Sequence, residues 1–391
     1  MSVKETARES IASQMERLTA ISTQMYENPE IAFEEHATAG LLTDYLEHHG
    51  FVVERSAYGL ETAFVAKAGA GGPEVIICAE MDALPGVGHA CGHNIIATAA
   101  IGAGVALAPV ADQLGIRVTV LGTPAEENFG GKVDLINAGA FTGAAAAMMV
   151  HPSPQDVVDP NVIAVAHWDV EFHGKSAHAS AYPDRGINAL DAAVQSYVNI
   201  STLRQSILST DKIHGIIVSG GDAANVIPHY TKSSWYVRSQ TMERLAVLSE
   251  KVRACFEAAA TATGCRLEIE PMGHTYTEMV NNPVMVDLYA SNSEALGRPM
   301  LRGADLPPSQ TGSTDMGNVS LVVPTIHPML GIDPGDAVNH QPEFAAATIR
   351  PAGVQAIHDG AVGMAWTIID LAEQDLWSQL ESDAGDASAR M

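Results

Sequence analysis

Three segments of this 391-residue chain carry side chains that could bind a metal or activate water. GHACGHN holds Cys91 and His93, GTPAEEN holds Glu126 and Glu127, and MMVHPSP holds His151. Thiolate and imidazole bind zinc-like divalent ions, and of two adjacent carboxylates one can bind metal while the other accepts a proton from water. Taken singly, each motif also fits packed or capping side chains, a solvated acidic corner or a structural histidine, and Cys91 could be a reactive thiol.

All three motifs follow predicted strands. The short apolar runs EVIICAE, IRVTVLGT and AAAAMMV are bounded by polar residues, and NIIATAAIGAGVALAPVADQLG and GGKVDLINAGAF read as helices between them, after an amphipathic first helix over residues 5–27. This alternation predicts an α/β layered domain, in which sites collect at the carboxyl ends of strands. A helix that begins just after Cys91 would favour its thiolate. The convergence of three strand ends indicates a hydrolytic metal site.

From about Trp168 the pattern changes to the order β, α, β, β, α, β, which is that of a ferredoxin-like unit. After this insertion the helices resume with NPVMVDLYASNSEALG and close with PAGVQAIHDGAVGMAWTIIDLAEQDL. The polar tail ESDAGDASARM is expected to be frayed.

The composition excludes several partners. With 46 acidic and 21 basic residues the net charge is −25, which argues against binding nucleic acid or an anionic membrane surface. We expect that no apolar run approaches the length of a transmembrane helix, and that the N-terminus is not a secretory signal. Four cysteines without a disulfide-scaffold pattern favour a reducing cytoplasm. The acidic charge does not forbid a cationic substrate.

A longer series of motifs extends in order over nearly the whole chain: AEMDALP…HACGHN, GTPAEEN, VHP, GKSAHAS, NVIP…R, STDMGN and NHQPEF. This series resembles the M20 family of co-catalytic metallopeptidases and amidohydrolases. The cysteine-containing ACGHN is similar to the branch of N-acyl-amino-acid and auxin-conjugate amidohydrolases, aminobenzoyl-glutamate hydrolases and M20 domain-containing dipeptidases.

The resemblance implies two divalent metal ions per chain, Zn or Mn, bridged by the thiolate of Cys91. His93 and His151 would complete one side, and Glu127 and His340 the other. Glu126 would be the general base, taking a proton from the activated water and handing it to the leaving amine. No covalent intermediate is needed.

The chain departs from the better-known M20 aminopeptidases at their H-x-D motif, where it has Glu80, Met81 and Asp82. The resemblance therefore gives the bridging role to Cys91 and makes His93 the replacement ligand. Asp82 would orient a ligand histidine by hydrogen bonding. In GSTDMGN, Ser313 and Asp315 match a family loop near the metals, where they would orient ligands or line the pocket.

In the inserted domain the resemblance assigns substrate contacts. His178 in GKSAHAS would donate to the substrate carbonyl or oxyanion, in the family often across a dimer interface. Asn225 and Arg238 would hold the free carboxylate of the substrate, although a plain strand-surface arginine is the alternative for Arg238. We expect hinged closure of this domain as a lid, and a homodimer formed through it.

These observations predict an α/β hydrolase with a discontinuous di-metal domain at 1–165 and 278–391, whose mixed sheet is flanked by helices. A ferredoxin-like α+β lid and dimerisation domain would span 166–277. The expected reaction is hydrolysis of the amide bond of N-acyl or aroyl amino acids or small dipeptides by metal-activated water. The alternatives are a hydrolytic deaminase of an aromatic amine, a non-catalytic regulatory subunit of an amidohydrolase complex, and a structural zinc module.

Overall fold

Short runs rich in Val and Ile form the central parallel strands, as their composition favours. EVIICAE forms the strand Glu74–Glu80, with the bounds predicted from the sequence, and six of its seven residues are buried. The structure is a computed structural model that describes residues 2–380. The predicted polar tail ESDAGDASARM lies outside the described residues.

The helices and strands are numbered along the chain. The helices are α1 Val3–Glu27, α2 His36–His48, α3 His93–Leu107, α4 Ala111–Leu114, α5 Gly131–Asn137, α6 Ala189–Leu203, α7 Met242–Thr263, α8 Pro283–Ala295, α9 Met316–Ser320, α10 Pro342–Ala347 and α11 Pro351–Glu373. The strands are β1 Val52–Arg55, β2 Phe64–Ala68, β3 Glu74–Glu80, β4 Arg117–Thr123, β5 Ala146–Met148, β6 His151–Ser153, β7 Ala164–His173, β8 Lys212–Ser219, β9 Tyr230–Ser239, β10 Arg266–Pro271, β11 Thr325–Ile326 and β12 Met329–Gly331.

The chain divides into two units. Unit 1 runs up to Asn161 and resumes at Met279, and unit 2 is Val162–Glu278. The boundaries expected from the sequence lie between residues 165 and 166 and between residues 277 and 278. Each unit has its own apolar core, as an independent domain does.

Unit 1 is built on a six-stranded sheet with the order β1-β2-β4-β3-β5-β11. Strands β4, β3, β5 and β11 are parallel, β2 is antiparallel to β4, and β1 is antiparallel to β2. Because the parallel strands point the same way, their last residues Glu80, Thr123, Met148 and Ile326 lie along one edge of the sheet. The mixed sheet flanked by helices confirms the predicted fold class.

Helix α3 is the central core helix of unit 1, and all of its residues are buried. It packs against α1 and α11. The segment His93–Leu114 is long and apolar enough to cross a membrane by length and composition, so the expectation that no run approaches that length is wrong. Since 89% of its apolar 18-residue window is buried inside the chain, the segment has the properties of a core helix. The helix predicted to continue to Gly115 ends at Leu107, because Pro109 lacks the N–H that a continuing helix requires.

Unit 2 has the element order β7, α6, β8, β9, α7, β10, as predicted. Its antiparallel sheet has the strand order β10-β7-β9-β8. Along β9 buried and half-buried residues alternate, so that one face of this strand lies in the core against α6 and α7. Strand β8 is an edge strand of this sheet. Its residues do not alternate regularly between buried and exposed, because several of its apolar residues are exposed.

Candidate metal centre

The Cys91 thiol is the centre of the candidate site in unit 1. Its Sγ lies 3.4 Å from Nε2 of His151 and 3.6 Å from Nε2 of His340. Cys91 lies in the loop between β3 and α3, His151 begins β6, and His340 lies in the loop before α10. The N–H of His340 donates to the Ala90 carbonyl at 2.9 Å, which ties this loop to the segment that carries Cys91.

The five predicted ligands form two groups that share the thiol. Ligand atoms of Cys91, His93 and His151 lie within 4.8 Å of one another, and so do those of Cys91, Glu127 and His340. The structure therefore brings together residues from four separate segments of the sequence. Sulfur, nitrogen and oxygen donors in this combination suit zinc-like divalent ions.

The His93 ring is held by a buried carboxylate. Its Nδ1 lies 3.1 Å from Oδ1 of Asp82, while Oδ2 of Asp82 accepts the backbone N–H of Glu127 at 3.0 Å. Burial alone would lower the pKa of His93, but Asp82 raises it well above the ordinary value. Asp82 thus directs Nε2 of His93 toward the other ligands, as a carboxylate behind a metal-binding histidine does.

The two adjacent glutamates place buried carboxyl groups close to His93. Nε2 of His93 lies 3.6 Å from Oε1 of Glu127 and 4.0 Å from Oε2 of Glu126. Burial, followed by the charge of Glu80, raises the pKa of Glu126 well above its usual range. Burial also raises the pKa of Glu127 to about 7. A cation close to these buried carboxyl groups would stabilise their ionised form.

The residues fit a pair of divalent ions. Nε2 of His93 and Oε1 of Glu127 are buried and have no hydrogen-bond partner in the part of the chain that the structure describes. The N-terminus of α3 was expected to favour the Cys91 thiolate, yet burial and then Glu127 raise the thiol pKa well above its ordinary value. A thiolate here therefore needs a cation beside it. Cations bound by the two groups would satisfy these ligand atoms.

A buried lysine next to these ligands was missed by the sequence analysis. Nζ of Lys132, in the first turn of α5, lies 2.5 Å from Oε1 of Glu80 and 2.7 Å from Oδ1 of Asp315. Oδ2 of Asp315 accepts the backbone N–H of Lys132 at 2.9 Å. Asp315, expected to orient ligands or line the pocket, thus contacts Lys132, while Ser313, two residues earlier, is partly buried. The only signal in the sequence is a lysine that follows the paired glutamates closely.

Two further histidines of unit 1 are buried outside both donor groups. Both ring nitrogens of His89 and of His327 lack a hydrogen-bond partner within residues 2–380. Burial lowers the pKa of His89 to about 3 and that of His327 to about 4. The His327 ring centroid lies 5.4 Å from that of His151, so His327 packs against a candidate ligand.

The predicted substrate contacts lie in unit 2. His178 is exposed, and its Nδ1 accepts the N–H groups of Ser180 at 3.3 Å and Ala181 at 3.2 Å, which leaves the proton of the neutral ring on Nε2. The Asn225 carbonyl accepts the N–H of the residue after His178 at 3.0 Å, so these two segments are adjacent. Arg238 lies on β9, with its guanidinium 5.7 Å from the Tyr236 ring centroid.

Comparison with known proteins gives one family. The sequence matches Peptidase family M20/M25/M40 over residues 76–359. A Xaa-Arg dipeptidase of Mus musculus is 41% identical over 383 residues, which cover 94% of this chain and 89% of the mouse protein. One of the chains of the p-aminobenzoyl-glutamate hydrolase of Escherichia coli (strain K12) is 30% identical over 281 residues, 66% of this chain and 58% of that protein.

A solved structure gives the same fold. The crystal structure of a dinuclear metal-binding peptidase of the M20 family from Bacillus subtilis matches with a TM-score of 0.70 and 22% identity, over 93% of this chain and 99% of that one. The family match covers most of the sequence, and the ligand types expected of a metallohydrolase meet at Cys91. This chain therefore belongs to peptidase family M20/M25/M40 and is a metal-dependent hydrolase of the amide bonds of acyl amino acids or dipeptides.

Proposed function

We propose that this protein is a dinuclear metallodipeptidase that releases a basic C-terminal amino acid from a dipeptide. The observation that carries the proposal is the thiol of Cys91 shared by two donor groups, with the carboxylate of Glu126 beside them. The substrate class is supported by the 41% identity, over nearly the whole chain, to a Xaa-Arg dipeptidase. The net charge of −25 favours the approach of a cationic substrate.

The proposed chemistry divides between the ions and the chain. Two divalent ions, Zn or Mn, held by Cys91, His93, His151, Glu127 and His340, would acidify water and polarise the scissile carbonyl. Glu126 accepts the proton of the attacking water and transfers it to the leaving amine. Asp82 keeps His93 in the orientation that presents Nε2.

The unit 2 residues take the roles that the family resemblance implies. His178 carries its proton on Nε2 in the neutral ring and donates it in a hydrogen bond to the substrate carbonyl, whose charge increases during attack. Asn225 and Arg238 bind the free carboxylate of the dipeptide, for which a guanidinium supplies a directional, charge-assisted contact.

The proposal includes a homodimer formed through unit 2. The edge strand β8 exposes Ile216, Ile217 and Val218, and α6 exposes Val194 and Val198. An exposed apolar edge strand can pair with a strand of another chain, because its backbone N–H and C=O groups on that side are unpaired within the sheet. Sedimentation of the wild type and of Ile216→Lys tests this part, because a charge on the edge strand is expected to give monomers. A reducing cytoplasm also belongs to the proposal, supported by four cysteines that are all free.

Metal analysis combined with a substrate panel tests the function. We expect about two ions per chain, loss of activity on chelation, and recovery with Mn or Zn added separately. Alanyl-arginine and alanyl-lysine should be cleaved at least tenfold faster than alanyl-glutamate, N-acetyl-arginine and p-aminobenzoyl-glutamate. A preference for the last substrate would contradict the dipeptidase assignment. Ammonia release from an aromatic amine would favour a deaminase, and full metal occupancy without turnover would favour a regulatory subunit.

A further inference from the structure

Glu35 is a fully buried carboxylate of unit 1 that belongs to neither donor group. It directly precedes α2 in the sequence. Its Oε1 accepts the backbone N–H of Ala125 at 3.0 Å, and its Oε2 accepts the hydroxyl of Thr62 at 2.8 Å. Burial of a carboxylate is unfavourable unless hydrogen bonds compensate it, so this arrangement requires a physical reason.

Capping of α2 is not that reason. The first amides of α2 are already capped by Glu30, whose carboxylate accepts the N–H groups of Ala37 at 3.0 Å and Thr38 at 2.7 Å. The side chain of Glu35 instead reaches a residue 90 positions away, in the loop after β4.

The conformation of Ala125 gives a reason. Its φ is +60°, in the left-handed region that a residue with a Cβ adopts only at a cost. Its carbonyl accepts the N–H groups of Phe129 at 3.2 Å and Gly130 at 2.9 Å, so both backbone polar groups of Ala125 are engaged. Ala125 directly precedes Glu126, and its backbone conformation therefore sets the direction in which the Glu126 side chain leaves the chain.

The other side of Glu126 is held in the same way. Oδ2 of Asp82 accepts the N–H of Glu127 at 3.0 Å. Two buried carboxylates, Glu35 and Asp82, thus fix the amides that flank Glu126 on either side.

We propose that Glu35 is a positioning residue for hydrolysis, which holds Ala125 in its left-handed conformation and thereby aims the carboxylate of Glu126. This inference rests on the proposed function, in which Glu126 is the general base. Glu35 acts through the backbone: within residues 2–380 its side chain hydrogen-bonds to Ala125 and Thr62, neither of which is a candidate metal ligand.

Replacement of Glu35 tests the inference in the metal-loaded protein. Glu35→Ala is expected to lower kcat by up to about 100-fold, the loss that a small misplacement of a reacting group can produce, with little change in KM. Metal content should stay near that of the wild type, because the ligands are untouched. Glu35→Gln keeps an oxygen acceptor for the N–H of Ala125 and should retain most of the activity.

A second substitution separates positioning from general stability. Glycine adopts positive φ without the Cβ penalty, so Ala125→Gly should raise the kcat of Glu35→Ala, by about tenfold given the usual size of that penalty. Glu30→Ala is the matched control: it removes the α2 cap and lowers the melting temperature, but within the described residues the carboxylate of Glu30 hydrogen-bonds to Ala37 and Thr38 and not to the loop, so kcat should not change. If Glu35→Ala fails to fold, Thr62→Val, which removes the hydroxyl bonded to Glu35, should lower kcat less strongly and also be rescued by Ala125→Gly.

The outcomes are distinguishable. A Glu35→Ala protein with wild-type kcat, or a double variant no faster than the single one at equal metal content, would overturn the role of Glu35. In the Thr62→Val background, absence of rescue by Ala125→Gly would do the same. A wild-type protein that binds no metal or cleaves no dipeptide would instead contradict the proposed function.

Discussion

The ammonium of Lys132 lies 2.5 Å from Oε1 of Glu80, and both side chains are fully buried at the edge of the sheet where the metal centre lies. Burial opposes ionisation of Glu80, but Lys132 and then the neighbouring histidines lower its pKa to about 2. Glu80 is therefore a carboxylate at neutral pH, and the single ammonium of Lys132 forms ion pairs with it and with Asp315.

Lys132→Met should destabilise the protein strongly. Removing the ammonium leaves Glu80 and Asp315 as buried carboxylates without a cation, and breaking a buried ion pair in this way costs about 3–5 kcal/mol. Urea unfolding of the metal-free protein, followed by circular dichroism, measures the loss.

The control removes all three charges together. Lys132→Met combined with Glu80→Gln and Asp315→Asn leaves no unpaired charge, so most of the lost stability should return. A single Lys132→Met variant within about 1 kcal/mol of the wild type would show that the two carboxylates do not depend on Lys132.

Glu126→Gln should lower turnover strongly but leave metal binding unchanged. An amide cannot accept the proton of the attacking water, and the loss of a general base lowers kcat by about 10²- to 10⁴-fold. Glu127→Gln is the matched comparison, since it alters a donor of the second group and should reduce metal content instead. Metal analysis and steady-state kinetics on both variants check the division of roles, and near-normal turnover by Glu126→Gln would rule it out as the base.

Cys91→Ser should release both metal ions, because the thiol belongs to both donor groups. His340→Ala removes a donor of one group alone and should leave about one ion per chain. Metal content after dialysis checks both, with Cys255→Ser, at a partly buried cysteine in neither group, as the control. Retention of two ions by Cys91→Ser would refute the shared thiol, as would alkylation of Cys91 that proceeds equally with and without metal.

Local patterns made much of this fold predictable. EVIICAE is an apolar run bounded by polar residues, and its strand was predicted with its observed bounds at Glu74 and Glu80. Helix α1 was predicted over residues 5–27 and extends over Val3–Glu27, because its amphipathic spacing is also local information. The five predicted metal ligands meet because each follows a strand or lies in a loop at one edge of the sheet.

The contacts that the sequence analysis missed join distant positions. Lys132 and Glu80 are 52 residues apart, and lysine is so rarely buried that its type alone predicts an exposed side chain. Glu35 and Ala125 are 90 residues apart. The positive φ of Ala125 could not be predicted from its residue type, since glycine and asparagine are the residues that usually adopt positive φ. Both contacts arise from the packing of distant segments, which the periodic pattern of apolar residues along the sequence does not reveal.

His167 in β7 should make unit 2 sensitive to acid. The side chain is 6% exposed, and its ring centroid lies 4.2 Å from that of Tyr236. Burial, and next the charge of Arg238, lower the pKa of His167 from 6.5 to about 4. The unfolded chain therefore binds more protons than the folded one between about pH 4 and pH 6.5, and the stability present above this window is lost as the pH falls through it. The full loss is about 3 kcal/mol, since each unit of pKa difference corresponds to 1.36 kcal/mol.

Hydrogen exchange of amides in β7 and β9, corrected for its intrinsic pH dependence, measures this loss within unit 2. In the wild type we expect protection to decrease from pH 7 to pH 4.5. His167→Phe keeps a buried aromatic ring of similar size but cannot take up a proton, so its protection should change much less over the same range. At pH 7.5, where His167 is neutral, the two proteins should have similar protection, which makes this pH the internal control. Equal acid sensitivity of the two proteins would mean that another group, and not His167, is responsible for it.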